Sequence, residues 1–548
     1  MATTSLSVIE ADVLIIGGGL AGFRAAHAAR KRGASVVIAY QARGASQHII
    51  GFNVPDAGAG QPDSPQAYAR DMIEGGYGLN DRRLVAALTT QAADALQDLV
   101  DLGVPLARDG EAILRRHLSG NSFPRSVFHP EGIGRLAWQT LVHEAERLRV
   151  QCLSGWKAVR LLRHGPAVAG ALLSRRDGSE MVAVHAPAVL LATGGIGALY
   201  ADSTYPEDIT ADSYAFALQA GATLIDMEFV QFEPTVVTEP ASCRGMEMPT
   251  AMFADGAALR NAEGARFMFR HNPKHGEMQI EKAKNALAVQ EEIDAGRGCD
   301  GAVFFDTRAV PGVRLESYVS HVSRLRGAGV DPATGPILVK PAAHSQMGGI
   351  RIDAQCRTEV PGLLAAGEAS GGVHGASRIA GNGASDAIVF GGIAGRTAAG
   401  AEGFGARLPW TEIHGAALES FNALPALGDG PSPAELKDAV RGAMLAGAGI
   451  RRSAQGLDKT LATLAQLRER AREGVRMERP GDRIRAHEAM HFVLCGEAIA
   501  RSAAARRESR GAHWRVDYPA ADDARWLCHI TARLDGEGAI ACETAPIE

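Results

Sequence analysis

The chain begins with apolar and glycine-rich blocks whose order predicts a β-α-β unit. Residues 12–16 (DVLII) form a continuous apolar run, as expected for a parallel strand that is buried on both faces. A glycine-rich turn and a helix that ends at Gly33 follow, and residues 35–39 (SVVIA) form a second apolar run. The stretches 187–197 and 361–372 again join an apolar run to glycines. The pattern therefore predicts one parallel sheet whose strands are distant in sequence.

The turn after the first strand has the spacing of a dinucleotide-binding fingerprint. Gly17, Gly19 and Gly22 lie between the predicted strand and the predicted helix, which is the required context. The glycines allow a tight turn and close approach of a pyrophosphate to the helix N-terminus. An acidic residue is expected near the end of the second strand, but Tyr40 and Gln41 stand there. A flavin dinucleotide is therefore favoured over NAD.

The rest of the chain divides into regions of different character. Asp81 is a predicted N-cap of a helix over 81–103, and Ser432 and Glu435 have the spacing of a capping box. Residues 236–339 are richer in charge and predict an inserted lobe. We expect an α/β protein with a first part of the nucleotide-binding domain at 1–235, a capping domain at 236–339, a second part of the first domain at 340–410, and a helical C-terminal domain at 411–548.

Composition and charge exclude several classes of protein. With 548 residues the chain is long enough for two or more domains, and its net charge of −5 gives no reason to expect nucleic acid or an anionic membrane as a partner. The seven cysteines are scattered without a C-x-x-C pair, so we expect no disulfide framework, iron–sulfur cluster or metal site in this chain. No apolar stretch approaches the length of a membrane span, and the N-terminus does not look like a signal peptide, so we expect a cytoplasmic protein.

Several stretches, taken together and in order, resemble the flavoprotein family of succinate dehydrogenase, fumarate reductase and L-aspartate oxidase. They are LIIGGGLAGFRAA, LLATGGIG, DMEFVQFEPT, GARFM, AGRGC, HSQMGGIRID, VPGLLAAGEASGGVHGASRIAGNGASDAIVFG and ARRESRGAHWRVDY. The resemblance implies a discontinuous Rossmann-like FAD-binding domain, an inserted α+β capping domain that moves over the flavin, and a C-terminal helical domain.

The resemblance also implies a set of residues that bind FAD. They are Gly17, Gly19, Leu20, Ala21, Gly22, Ser46, Ala158, Gly194, Asp212, Glu368, Gly383 and Ala384. The alternative for Glu368 is a carboxylate that caps the following loop. Relatives with covalent FAD have a histidine directly after the serine at position 46, where this chain has Gln47. His48 comes one residue later and would point to the opposite face of an extended segment, so we expect non-covalent FAD.

The family moves hydride between flavin and a carbon beside a carboxylate. The residues that hold that carboxylate match His344 and Arg378; a core histidine and a structural ion pair are the alternatives. The family's proton-handling arginine matches Lys282, with Lys284 as the alternative and a solvated helix face as the other interpretation.

Glu233 stands where dicarboxylate-using relatives have a histidine for the second substrate carboxylate. Two carboxylates 4 Å apart repel by roughly 4 kcal/mol at an effective dielectric constant near 20. We therefore expect a cavity that is basic on the wall of His344 and acidic on the opposite wall. The predicted substrate has one carboxylate or carbonyl and is not succinate, fumarate or aspartate. The alternative is that Glu233 faces solvent or pairs with a nearby arginine.

The resulting hypothesis is a FAD-dependent dehydrogenase or reductase that acts on a C–C bond next to a carboxylate or carbonyl. Only one dinucleotide fingerprint is present, so we expect electrons to pass to a quinone, to oxygen, or to a separate iron–sulfur or other electron-transfer subunit. Three alternatives stay open: an amino-acid or amine oxidase resembling L-aspartate oxidase, a reductase of sulfur-containing nucleotides, and a catalytically inactive flavin-binding subunit.

Overall fold

The computed structural model describes residues 6–56, 58, 61–401, 403 and 408–548. Its strands are β1 (Ser7–Glu10), β2 (Val13–Ile16), β3 (Val36–Tyr40), β4 (Phe52–Asn53), β5 (Arg108–Asp109), β6 (Ala112–Ile113), β7 (Arg115–Arg116), β8 (Ser126–Val127), β9 (Gln151–Ser154), β10 (Trp156–His164), β11 (Ala167–Arg175), β12 (Met181–His185), β13 (Ala188–Leu191), β14 (Leu224–Ile225), β15 (Val230–Glu239), β16 (Ala258–Arg260), β17 (Val303–Asp306), β18 (Ile337–Gln346), β19 (Gly349–Ile350), β20 (Leu363–Ala365), β21 (Arg451–Arg452), β22 (Trp514–Arg515), β23 (His529–Leu534) and β24 (Ile540–Ala545).

The α-helices alternate with these strands in the first part of the chain and dominate its last third. They are α1 (Leu20–Arg30), α2 (Pro65–Gly75), α3 (Arg82–Asp101), α4 (Ile133–Arg147), α5 (Asp212–Ala220), α6 (Met268–His271), α7 (Lys282–Asp294), α8 (Gly312–Glu316), α9 (Val319–Gly327), α10 (Asn382–Ala398), α11 (Trp410–Asn422), α12 (Pro433–Ala448), α13 (Ala454–Glu473), α14 (Pro480–Ala505) and α15 (Asp523–Trp526). Short 3₁₀ helices occur at Gly44–His48, Ala241–Cys243, Thr250–Phe253 and Gly367–Ala369.

A parallel five-stranded sheet forms the centre of the molecule. Its order is β20-β13-β2-β3-β9, so strands from the two ends of the predicted FAD-binding region lie side by side. Every residue of β2 and β13 is buried, as their continuous apolar sequences predict. The parallel sheet of strands distant in sequence is therefore confirmed.

Helices α1 and α10 pack closely at this sheet because glycines face the contact. A Cβ atom on Gly391 would lie 2.6 Å from the carbonyl oxygen of Ala21, and one on Gly395 would overlap the carbonyl oxygen of Ala25. The N-terminal residues of both helices line the same cavity. The packing thus brings two helix N-termini, which favour anionic ligands, to one site.

A second apolar core lies between residues 237 and 339. It is built around the antiparallel sheet β15-β18-β17-β16 and contains buried Met, Phe, Val, Leu and Ile side chains from that segment. Strands β15 and β18 extend from the main body into this lobe, and Glu233 is paired with Ala342 in their register. That register places Glu233 beside the segment that carries His344.

The C-terminal region is helical at first and then ends in a β-hairpin. Ser432 Oγ accepts from the Glu435 backbone N–H, and the Glu435 carboxylate accepts from the Ser432 backbone N–H, which confirms the predicted capping box. Helices α12, α13 and α14 share their apolar core with the central sheet. Strands β23 and β24 join β14 and β19 in a further sheet, a feature that the predicted helical domain did not include. Within the described ranges, no helix combines the length and apolar character that crossing a bilayer requires.

Candidate active site

A large cavity lies where the central sheet, helices α1 and α10 and the 237–339 lobe meet. It encloses about 1860 Å³ of space that atoms do not fill, part of it open to solvent. Its lining runs from the glycine turn before α1, past the N-terminus of α10, to His344 and Arg378. All of the predicted cofactor residues except Gly22 line the cavity.

The glycine turn before α1 has the geometry of a phosphate-binding loop. Gly17 has a φ of +124°, and a Cβ atom there would overlap the carbonyl oxygen of Ala192. Gly22 does not line the cavity, because its role is packing: a Cβ atom on it would overlap the carbonyl oxygen of Gly17. The first N–H of α1, on Leu20, donates to Ser46 Oγ at 2.9 Å. These features fit FAD, with its pyrophosphate at the N-terminus of α1.

The segment after β3 differs from the expected conformation. Residues Gly44–His48 form a 3₁₀ helix, so the argument from an extended segment is wrong. His48 lines the large cavity, whereas Gln47 lines a separate hollow together with Arg43 and Trp138. Helical winding, rather than strand alternation, decides which side chain reaches the cavity.

Glu368 follows β20 and lies at the cavity edge. Its Oε1 accepts from the Gln346 backbone N–H at 3.0 Å and from the Tyr205 hydroxyl. A Cβ atom on Gly195 would lie 2.7 Å from Glu368 Oε1 and from Tyr205 Oη, so only glycine leaves room for this pair. Burial, followed by the nearby Glu368 charge, raises the pKa of Tyr205 well above 10, so that its hydroxyl is a donor. These two bonds bind Glu368 to neighbouring chain segments rather than to the loop that follows it.

Asp212 belongs to a buried ionic network that links the cavity wall to α14. Lys157 Nζ lies 2.8 Å from Asp212 Oδ2 and 2.6 Å from Glu488 Oε1, and His491 Nδ1 lies 2.7 Å from Asp212 Oδ1. Thr210 Oγ1 donates to Asp212 at 2.6 Å. Lys437 Nζ also pairs with Glu488 Oε2, so two lysines match the charges of the two buried carboxylates, which is the condition for stable burial.

The stability that this network contributes should be lost in acid. Burial alone would raise the pKa of Glu488, but the charges of Lys157 and Lys437 outweigh burial and hold that pKa at about 2. Burial would likewise raise the pKa of Asp212, but Lys157 and His491 outweigh burial and lower that pKa. Groups with depressed folded-state pKa values stabilise the fold above the ordinary carboxyl pKa and lose that contribution as the pH falls through the folded-state value. We expect the thermal unfolding midpoint to fall from pH 4.5 to pH 2.

Glu488→Gln should lower the thermal unfolding midpoint at pH 7, because the network loses one of its charges. The midpoint should also fall less steeply below pH 4.5, because one of the two carboxylates whose protonation destabilises the fold has been removed. Glu473→Gln, at the exposed end of α13, is the matched control and should change neither. Equal acid profiles for wild type and Glu488→Gln would contradict this account.

His344 and Arg378 come together at the cavity, as predicted. Arg378 Nη2 donates to His344 Nε2 at 3.2 Å, and Arg378 Nε donates to Ser345 Oγ at 3.1 Å. The described hydrogen bonds of this guanidinium therefore go to side chains without a negative charge. Gly383 lies against the guanidinium, where a Cβ atom would make an ordinary van der Waals contact at 3.6 Å. The arrangement can accept a carboxylate from the cavity.

Lys282, the first residue of α7, lines the cavity and pairs with Glu233. Its ammonium donates to Glu233 Oε2, and the Glu233 side chain is only 3% exposed. Glu233 does not itself line the cavity. Lys284 turns outward and pairs with Glu281 at 2.8 Å. Of the two candidate lysines, Lys282 is therefore the one that faces the cavity.

The predicted acidic wall opposite His344 is wrong. The carboxylate oxygens of Glu233 and Glu247 and a ring nitrogen of His344 all lie within 4.8 Å of one another, so Glu233 lies behind the wall that carries His344 rather than opposite it. Its charge is matched by Lys282, not by the arginine that the alternative named. Beside His344, the side chain that brings negative charge to the cavity surface is Glu247 instead.

Glu247 was missed by sequence reasoning. Its Oε1 lies 3.0 Å from His344 Nδ1, and its side chain is 42% exposed where it lines the cavity. Burial alone would raise the pKa of Glu247, but His344, Lys282 and Arg378 outweigh it and lower that pKa. A signal was present, because Met246 and Met248 are buried apolar residues on either side of it. In an extended segment this alternation places Glu247 on the opposite face.

Comparisons with known proteins agree with this architecture. Residues 12–384 match the family model of a FAD binding domain, and residues 437–548 match that of the fumarate reductase flavoprotein C-terminus. One subunit of the CoM/CoB fumarate reductase of Methanothermobacter marburgensis is 34% identical over 93% of this chain and 95% of that protein. L-aspartate oxidase of Streptomyces coelicolor is 32% identical over 98% of this chain and 93% of that protein.

A solved structure extends the similarity to the whole fold. Sdh1 of Mycobacterium smegmatis, in complex with UQ1, superposes with a TM-score of 0.89 at 29% identity, covering 99% of this chain and 95% of that one. The similarity spans the glycine turn, the lobe and the C-terminal helices alike. The chain therefore belongs to the flavoprotein family of succinate dehydrogenase, fumarate reductase and L-aspartate oxidase, whose members are FAD-dependent oxidoreductases.

Proposed function

We propose that the chain transfers hydride between FAD and a C–C bond next to a carboxylate or carbonyl. The observation that carries the proposal is Arg378, a guanidinium that faces the cavity, bonds to uncharged partners and has His344 beside it. FAD, when bound, supplies the hydride acceptor or donor. Arg378 and His344 fix the carboxylate, which orients the adjacent carbon–carbon bond in the cavity.

Lys282 is the residue that we assign to proton transfer. It lines the same cavity; its ammonium can give a proton to a substrate carbon, and in the opposite direction its neutral amine can receive one. Glu233, buried behind it, orients the ammonium and is the next acceptor or donor along the chain of hydrogen bonds. The lobe that carries Lys282 also contributes Glu247, so it forms one side of the cavity.

We propose that the substrate carries one carboxylate and is not a C4 dicarboxylate. The positive charge of Lys282 is matched by Glu233, and Glu247 adds a negative charge beside His344. Arg378 is thus a cation available to a ligand, and a second substrate carboxylate in this cavity would meet Glu247. This supports the same class of substrate as the sequence predicted, for a different physical reason.

The test is anaerobic reduction of the bound flavin by a panel of acids. Monocarboxylic acids, their esters, amino acids, and the dicarboxylic acids succinate and aspartate are added to the purified protein, and absorbance near 450 nm is followed. We expect members with a single carboxylate to bleach the flavin. Efficient bleaching by succinate or aspartate would overturn the proposed substrate class, and hydrogen peroxide release on an amino acid would favour the oxidase instead.

We also propose that the chain is the flavoprotein component of a complex whose iron–sulfur or other electron-transfer subunit is separate. Its support is the single dinucleotide fingerprint and the methanogen relative, which is itself named as one subunit of a fumarate reductase. NADH and NADPH should therefore fail to reduce the flavin in the isolated chain, which anaerobic mixing with either nucleotide measures.

We propose that FAD is bound non-covalently, since Gln47 occupies the position of the histidine that carries covalent flavin in relatives. Precipitation of the protein with trichloroacetic acid should leave the yellow colour in the supernatant. Because His48 lines the cavity, the opposite result is chemically accessible and the measurement is decisive. A yellow pellet that becomes colourless in His48→Ala would show that His48 is the attachment point.

A further inference from the structure

The hydrogen bonds around His344 define which of its nitrogens carries a proton. A guanidinium has only donors, so Arg378 Nη2 donates and His344 Nε2 accepts. The proton of the neutral ring is therefore on Nδ1, which faces Glu247 Oε1 at 3.0 Å and Thr204 Oγ1 at 3.0 Å. In this hydrogen-bond arrangement, His344 lies between the Arg378 guanidinium and the Glu247 carboxylate.

A substrate carboxylate changes this balance. When Arg378 turns its donors to the incoming anion, the lone pair of His344 Nε2 faces negative charge, which is unfavourable unless the nitrogen gains a proton. A carboxylate beside Nδ1–H stabilises the imidazolium that results. Glu247 lies at that position, with its Oε1 3.0 Å from His344 Nδ1.

We propose that Glu247 is a positioning residue for His344, and that the pair takes up one proton from solvent when a carboxylate binds at Arg378. The inference rests on the proposed function, because it assumes the carboxylate anchor at Arg378. The added proton makes the Nε2–H group of His344 a hydrogen-bond donor to the bound anion, and no other bond is made or broken. The role of Glu247 is thus to make the histidine a cation only when an anion is present.

The remaining charged groups near the pair do not supply this function. Glu233 lies within 4.8 Å of both groups but is neutralised by Lys282. His321, on α9, faces Glu247, and burial lowers the pKa of His321, which keeps it uncharged near neutral pH. Thr204 is an uncharged alternative partner of Nδ1. Glu247 is therefore the group that can stabilise a charged His344.

The experiment measures propionate binding to the FAD-loaded enzyme between pH 7 and pH 9, from the change in visible flavin absorbance. If one proton is taken up, the Kd rises about tenfold per pH unit in the wild type, because a free imidazole is neutral across this range. In Glu247→Gln the Kd of propionate should rise by less than about twofold per pH unit. Glu247→Asp and Thr204→Val should retain the wild-type slope.

Calorimetry in two buffers of different ionisation enthalpy measures the number of protons taken up for each propionate bound. We expect about one proton for the wild type and none for Glu247→Gln. Equal slopes and equal proton counts in wild type and Glu247→Gln overturn the inference. Arg378→Met separates it from the proposed function, which requires that this variant lose propionate binding at every pH. Propionate that binds independently of Arg378, or fails to bind the wild type at all, overturns the carboxylate anchor and the inference together.

Discussion

Replacing Arg378 by methionine should slow reduction of the flavin by the best substrate of the panel by about 10²–10³-fold, the loss typical when one preorganised electrostatic group is removed from an active site. The guanidinium is at the cavity surface, and its hydrogen bonds go to Ser345 and to His344, so the change breaks no direct bond to a carboxylate. The bound flavin and the unfolding midpoint should stay close to the wild-type values. Stopped-flow absorbance gives the rate, and the ratio of flavin to protein absorbance gives the loading.

Two further variants sharpen this result. Arg378→Lys keeps the charge but loses the planar fork, so it should recover only part of the rate. Arg472→Met removes an exposed arginine on α13 that pairs with Glu469, and it should leave both rate and loading unchanged. If Arg378→Met reduced the flavin at the wild-type rate, the carboxylate anchor would have to lie elsewhere in the cavity.

Lys282→Met should lower turnover by about 10²–10⁴-fold, the range that a positioned acid or base contributes. It should also lower stability, because Glu233, 3% exposed, loses the cation that matches its charge. Breaking a buried pair by removing one partner costs about 3–5 kcal/mol. Loss of activity in this variant alone could therefore come from local unfolding as well as from chemistry.

The double variant Lys282→Met/Glu233→Gln separates these effects. It removes the unmatched buried charge, so the unfolding midpoint should return toward the wild-type value while turnover stays low. Lys284→Met is the matched control: Lys284 lies on the same helix but pairs with Glu281 at the surface, and its loss should leave turnover intact. Wild-type turnover in the double variant would remove Lys282 from the mechanism. Thermal scans and steady-state rates on the same preparations provide the comparison.

Local patterns in the sequence determined much of the fold. Continuous apolar runs identified strands β2 and β13, and the glycine turn between β2 and α1 followed from its spacing. Asp81 accepts from the backbone N–H groups of Arg83 and Leu84, as its position before a helical pattern predicted. Such features depend on neighbours within a few residues, and sequence order alone brings those neighbours together. The β-hairpin of β23 and β24 was missed within a region whose earlier part is strongly helical.

The candidate site shows where such reasoning ends. The sequence identified the basic side chains of the site, Lys282, His344 and Arg378, from motifs that are each continuous in the chain. Only the tertiary structure decided their partners: Glu233 lies 49 residues from Lys282 in sequence yet matches its charge, and Glu247 comes from a segment between two buried methionines to contact His344. An ion pair depends on distance in space, which the register of β15 and β18 and the packing of α7 fix. Which charged groups of the site pair with one another could therefore be determined only from the tertiary structure.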